Sequence, residues 1–136
     1  MPVRTINPPS LFLPTMYSQV AVAEGTRTVF VAGQAPLDAS GQLVGASDLA
    51  AQTEQVFRNV ASALAAAGAT FDDVGRLTIY LVGYGASTVE QLGAGFARAG
   101  DAIGSDLTPR PVTMIVVNAL GAPGQLVEIE ATAVLA

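Results

Sequence analysis

The segment Leu126-Val127-Glu128-Ile129-Glu130-Ala131-Thr132-Ala133-Val134-Leu135 carries the pattern on which the fold turns. Val127, Ile129, Ala131 and Ala133 fall on one side of an extended chain, with Glu128, Glu130 and Thr132 on the other, because strand residues two apart project to the same face. A period of two with one apolar side predicts a strand buried on one face only. Something must cover that face, and two helical stretches upstream are suited to it.

The better-defined helix opens at Ser47, a residue suited to an N-cap, with Asp48 at the positive end of the helix dipole. Leu49, Val56, Val60, Ala63 and Leu64 recur on one face with Phe57 beside it, and Gly68 closes the segment. A second helix is predicted over residues 87–103, with Val89, Leu92, Phe96 and Ile103 on its apolar side. Gly93, Gly95 and Gly100 weaken it by roughly 1 kcal/mol each relative to alanine. Strands are expected over residues 17–23, 28–32, 76–82, 112–120 and 126–135. Glu24-Gly25-Thr26 is read as a hairpin turn, and Pro8, Pro9 and Pro14 make the first fourteen residues an irregular lead-in. The order β-β-α-β-α-β-β predicts one α+β domain over residues 1–136, a mixed sheet with both helices on one face. The other face then needs cover.

Composition says what that cover is. Hydrophobic residues make up 51% of the 136 residues and charged residues 12%, about half the usual charged share. So little charge predicts apolar surface hidden between subunits. No apolar run reaches the roughly 18 residues of a membrane span, so no membrane is expected. Met1-Pro2-Val3-Arg4 lacks the layout of a signal peptide, which points to a cytoplasmic location. The chain has no Cys, His, Trp or Lys, and its six basic residues are all arginine. Thiolate, Ser-His, Schiff-base and P-loop chemistry are thereby excluded. Carboxylates, Tyr, water or backbone groups remain for proton transfer, and no metal or cofactor is expected. A net charge of −5 and a pI near 4.3 make nucleic acid an unexpected partner.

Few residues are left to do chemistry. Arg110, in Thr108-Pro109-Arg110-Pro111 before an apolar stretch, is stiffened by its prolines and suited to bidentate carboxylate recognition. It would equally pair with a local acid such as Asp106. Glu128 and Glu130 share a sheet face, as a carboxylate pair or as a solvated edge. Gly33 ends a strand, where it permits close ligand approach or makes a bulge. Tyr17 opens a strand with a hydroxyl that would reach a ligand or simply stay half-buried. Gly83-Tyr84-Gly85 is too little of a dinucleotide fingerprint to count.

Taken together, these pieces resemble the RidA/YjgF/YER057c/UK114 family. Tyr17-Ser18-Gln19, Val29 through Leu37 with Gly33-Gln34, Gln52-Thr53 with Asn59-Val60, Ala67 through Val74, Pro109-Arg110 and Val127 through Ala131 carry the likeness across residues 16–134. The resemblance implies a chorismate-mutase-like fold, a homotrimer and clefts between subunits. It implies hydrolysis of enamine and imine acids such as 2-aminoacrylate to 2-oxo acids and ammonia, without a cofactor. Arg110 would grip the substrate carboxylate and Glu128 would position or activate water. The backbone around Ala32, Gly33 and Val112 would add hydrogen bonds, Tyr17 would line the cleft, and Glu90 would lie near it. Alternatives are a non-catalytic trimer that binds small carboxylates and, disfavoured by the acidic chain, an L-PSP-type endoribonuclease. Active deaminases usually carry Ser at Ala32, Asn near Val89 or Glu90, and often Ser at Pro111. A carboxylate at Glu90 would repel an acidic substrate.

Overall fold

A computed structural model describes residues 3–108 and 110–136. Pro109, one of the two prolines expected to stiffen Arg110, lies outside the described residues, as do Met1 and Pro2.

The final strand sits where its alternation requires. In chain order the strands are β1 (Val3–Ile6), β2 (Val20–Ala23), β3 (Arg27–Gln34), β4 (Val74–Val82), β5 (Val112–Val117) and β6 (Val127–Leu135); the helices are α1 (Leu49–Ala66) and α2 (Thr88–Ile103). Four strands form a mixed sheet in the order β3-β6-β4-β5, with β4 and β5 parallel and the other pairs antiparallel. Val127, Ile129, Ala131, Ala133 and Leu135 are buried, as are Val74, Leu77, Ile79 and Leu81 of β4. They meet Val56, Phe57, Val60 and Leu64 of α1 and Leu92, Phe96 and Ala99 of α2 in one apolar cluster. Phe57 is its centre, packing edge-on against Phe96 at 4.7 Å and tilted against Phe71 at 5.7 Å.

Helix α1 ends as its sequence predicts. Gly68 takes φ 78°, Ala69 N–H donates to Leu64 O and Gly68 N–H to Ala65 O, the paired bonds of a Schellman motif. Its start differs by one residue. Asp48 caps α1, its side chain accepting from Ala51 N–H, while Ser47 is turned to φ 59°. A carboxylate accepts that bond and answers the helix dipole together, so it outcompetes the serine hydroxyl.

Three other expectations are corrected. The lead-in contains β1, which pairs antiparallel with β2 in a separate two-stranded ribbon. Val3–Ile6 precedes the prolines, so nothing in it blocks pairing. Glu24-Gly25-Thr26 is therefore not a hairpin turn between paired strands: β2 joins β1, and β3 joins β6. Gly25 instead lies against the end of β6, where Thr26 N–H donates to Leu135 O and an added Cβ would collide with Leu135 backbone. Strand β5 stops at Val117 rather than at residue 120.

One glycine of α2, Gly95, has an unexpected role. A Cβ at Gly95 would lie 2.5 Å from Thr53 Cβ and 2.9 Å from Ala50 O. Gly95 lets α1 and α2 approach more closely than alanine would permit.

Candidate functional site

Arg110 stands just before β5 and is 7% exposed. Its Nε and Nη2 both donate to Phe71 O, at 3.0 and 2.6 Å. The nearest carboxylate is Asp72, at 3.7 Å with a side chain 72% exposed. The expected local partner, Asp106, instead accepts from Thr108 N–H and Thr108 Oγ1. Burial pulls the Arg110 pKa down, opposed by Asp72, Asp106 and Asp73. The backbone holds this guanidinium by one edge. Of its five N–H donors, those on Nη1 form no hydrogen bond among the described residues. Three acids offset the buried charge, and the nearest, Asp72, is mostly solvated.

Two residues on, Val112 joins Tyr17 in lining an apolar hollow of about 190 Å³. Ile79, Leu92 and Phe96 form its buried floor, while the half-exposed Val89 and Met114 lie at its rim. The segment carrying Tyr17 is tied to the start of β5 by Ser18 N–H donating to Arg110 O. Glu90, on the first turn of α2, is exposed and is not among the residues lining the hollow. Met16 and Met114 also line it, though sequence reasoning does not single them out; for Met114 the period-two pattern Val112, Met114, Val116 is the available signal.

Glu128, Gly33 and Ala32 form a second group. Strand β3 bulges between Val31 and Gln34. There a Cβ on Gly33 would overlap the Glu128 carboxylate, so Gly33 makes the room in which Glu128 lies. Glu128 Oε1 accepts from Gln125 Nε2 at 3.2 Å. Glu130 is engaged elsewhere: Tyr80 Oη donates to it at 2.5 Å, and that bond raises the Tyr80 pKa.

The two groups do not meet within one protomer. Glu128 is level with Tyr80, and Tyr80 with Ile115, across β6-β4-β5. Arg110 lies five residues before Ile115, about 16 Å along the strands and two strands away. Glu128 also alternates with the buried residues of β6 and so occupies the helix-free face, whereas the Arg110 guanidinium turns to Phe71 in the helix-side core.

A model of the family described as Endoribonuclease L-PSP matches residues 12–135. The chain belongs to that family, the RidA/YjgF group. A solved relative of the Rid family, YyfB from Yersinia pestis, is 38% identical, with 99% of this chain and 100% of that one aligned at a TM-score of 0.86. Rv2704 from Mycobacterium tuberculosis, a YjgF/YER057c/UK114 member, is 36% identical over 88% of this chain and 86% of its own, at a TM-score of 0.59. Protein DfrA of Myxococcus xanthus is 34% identical over 119 residues, 87% of this chain and 84% of the relative. The chorismate-mutase-like α+β fold of the RidA/YjgF group is thus the fold of this chain.

Some residues that carry the RidA resemblance prove to be structural. Gln52 is fully buried, donating to Gly45 O and Gly124 O and accepting from Leu126 N–H. Asn59 Nδ2 donates to Ala35 O and Leu37 O. These amides fasten α1 to the loops leaving β3 and entering β6, and so hold Gly33 and Glu128 in place. Among the described residues, no helix is long and apolar enough to cross a membrane, and no cluster of three or more His, Cys, Asp or Glu could hold a metal ion.

Proposed function

We propose that this RidA-family protein hydrolyses 2-imino acids and their enamine tautomers in a cleft between subunits of a homotrimer. The observation that carries the reading is Arg110: a buried guanidinium, held by Phe71 O on one edge, with its nearest carboxylate 3.7 Å away and mostly solvated. The carboxylate of a small acid completes its charge and its hydrogen bonds. Glu128 is too far away, and on the wrong face, to serve the same molecule within one protomer. A site using both takes Glu128, with the Gly33 bulge, from a neighbour.

In that cleft Arg110 holds the substrate carboxylate. Glu128 takes a proton from water as the water oxygen bonds to the imine carbon. The imine nitrogen takes that proton back from Glu128 to give the carbinolamine, whose hydroxyl proton then passes through Glu128 to the nitrogen as the C–N bond breaks, releasing ammonia and the 2-oxo acid. The imine is already electrophilic, so positioning does most of the work. Ala32 offers no hydroxyl, so the backbone beside Gly33 and Val112 must orient the reactants. Tyr17 closes one wall, and Glu90 stays in solvent. The missing hydroxyl at Ala32 also favours a second reading, a trimer that binds small carboxylates without turnover. The acidic chain gives no support to ribonuclease action.

A coupled assay tests the proposal. A dehydratase generates 2-aminoacrylate from serine, and pyruvate release is followed with wild type, Arg110→Lys and Arg110→Ala. Wild type should accelerate release, and both variants should lose at least about tenfold, the effect of removing one charge-assisted contact of roughly 1.4 kcal/mol. Arg110→Ala also strips Phe71 O of its donors, at about 1–3 kcal/mol, so circular dichroism and sedimentation accompany it. A folded trimer without acceleration would sink the enzyme reading for this substrate.

A further inference from the structure

Gln125 lies in the turn that leads into β6 and is 4% exposed, an uncommon place for an amide unless its polar atoms are bonded. Its Oε1 accepts from Ala122 N–H at 3.1 Å, and its Nε2 donates to Val127 O at 3.0 Å and to Glu128 Oε1 at 3.2 Å. The two backbone contacts fix which end of the amide is which. Turned over, it would set its oxygen against Val127 O and its NH2 against Ala122 N–H. The group that meets Glu128 is therefore always a donor. Its support is fixed as well, because Gln52 of α1 donates to Gly124 O and accepts from Leu126 N–H, on either side of Gln125. Glu128 Oε2 is placed differently. It lies beside the Gly33 bulge, where an added Cβ would overlap it, and it accepts no hydrogen bond among the described residues. The carboxylate is held by one oxygen and open at the other.

We infer that Gln125 is the positioning residue for Glu128: its amide occupies Oε1, fixes the plane of the carboxylate, and leaves Oε2 as the oxygen that takes the proton from water. The inference rests on the proposed reading of Glu128 and goes beyond it in naming which oxygen acts and what aims it. A carboxylate free to turn about its side-chain bonds seldom presents a lone pair to the water, and orientation is the larger part of the work when the imine is already electrophilic. Through Ala122 the same amide also holds the turn, and the choice of variants separates the two roles.

In the dehydratase-coupled assay, Gln125→Met keeps the side chain's length and removes its polar contacts. Gln125→Glu keeps an acceptor for Ala122 N–H and gives Glu128 an oxygen in place of a donor. Both should lower the acceleration of pyruvate release on the order of tenfold, the effect of losing one hydrogen bond to a charged group. Pyruvate binding, measured by calorimetry, should weaken less than about threefold, because Arg110 is untouched. Adding Gln125→Met to Glu128→Gln should cost less than about twofold more, since an amide that acts through Glu128 then has nothing left to aim. A purely structural amide would subtract its full effect in both backgrounds. Unchanged acceleration by either folded variant, or a full additional loss in the Glu128→Gln background, overturns the inference. Failure of both Gln125 variants to fold overturns it too, by making the amide structural. Folded wild type that binds pyruvate without accelerating its release removes the enzyme reading and this inference with it, whereas active wild type with equally active variants removes this inference alone.

Discussion

At the residue scale, polar groups that looked functional divide into those that hold the chain and those left over for a ligand. Gln52 spends all three of its hydrogen bonds on backbone groups of two loops. Gln52→Ala should therefore cost about 2–5 kcal/mol by orphaning them, read as a lower urea midpoint. Asp106 gives a pH signature. Hydrogen bonds from Thr108 N–H and Oγ1 lower its pKa below the usual 3.8. Folded Asp106 thus gives up its proton more readily than unfolded Asp106, and its contribution is complete above about pH 4 and fades as the pH falls further. Urea melts of Asp106→Asn between about pH 5 and pH 2 should show a shallower acid limb than wild type. Sequence alone could not separate these roles. Gln52 and Arg110 are both polar residues near apolar runs, and only their surroundings show that one has every bond made and the other has an edge to spare.

At the scale of elements, periodicity is a reliable guide and glycine is not. The α1 face, the Gly68 stop and the β6 alternation are local patterns, set by 3.6-residue and two-residue repeats that no distant contact can rewrite. The glycines of α2 read as weakness because propensity counts only the helix itself. Packing reverses that expectation at Gly95 and leaves it standing at Gly93, where an added Cβ meets only Met16 Cε at 3.5 Å. Gly95→Ala should destabilise by about 1–3 kcal/mol as α1 is pushed away, whereas Gly93→Ala should stabilise by up to about 1 kcal/mol. Thermal melts of the pair check both signs. The N-terminal strand is not legible in the sequence because four residues carry too little pattern, and its partner β2 is what makes it a strand.

At the scale of the whole molecule, both helices of the protomer pack on one face of the sheet and leave apolar side chains exposed on the other. Phe30 stands there at 79% exposure, and Ile115 shares that side on the edge strand β5 at 41%. These apolar side chains stand among Glu128, Glu130, Thr132 and Tyr80 on the same side of the sheet. On the trimer reading, Phe30→Asp places a carboxylate near Glu128 and Glu130 on a face meant for burial. Sedimentation should then show the 13.8 kDa protomer in place of a species three times that mass. An unchanged sedimentation coefficient would show that this face is not the interface.

The sequence by itself determined the helices, the alternating final strand, the α+β class and the family, because these rest on local periodicity and on motifs of fixed spacing. It also singled out Arg110, since a chain with six arginines and no other cation offers few choices. Only the tertiary structure decided that Gly33 exists to seat Glu128 and that Asp48 rather than Ser47 caps α1. It alone separated Arg110 from Glu128 by the length and the thickness of the sheet. Those outcomes depend on register and on which face a side chain takes, and both are fixed by contacts between segments distant in sequence.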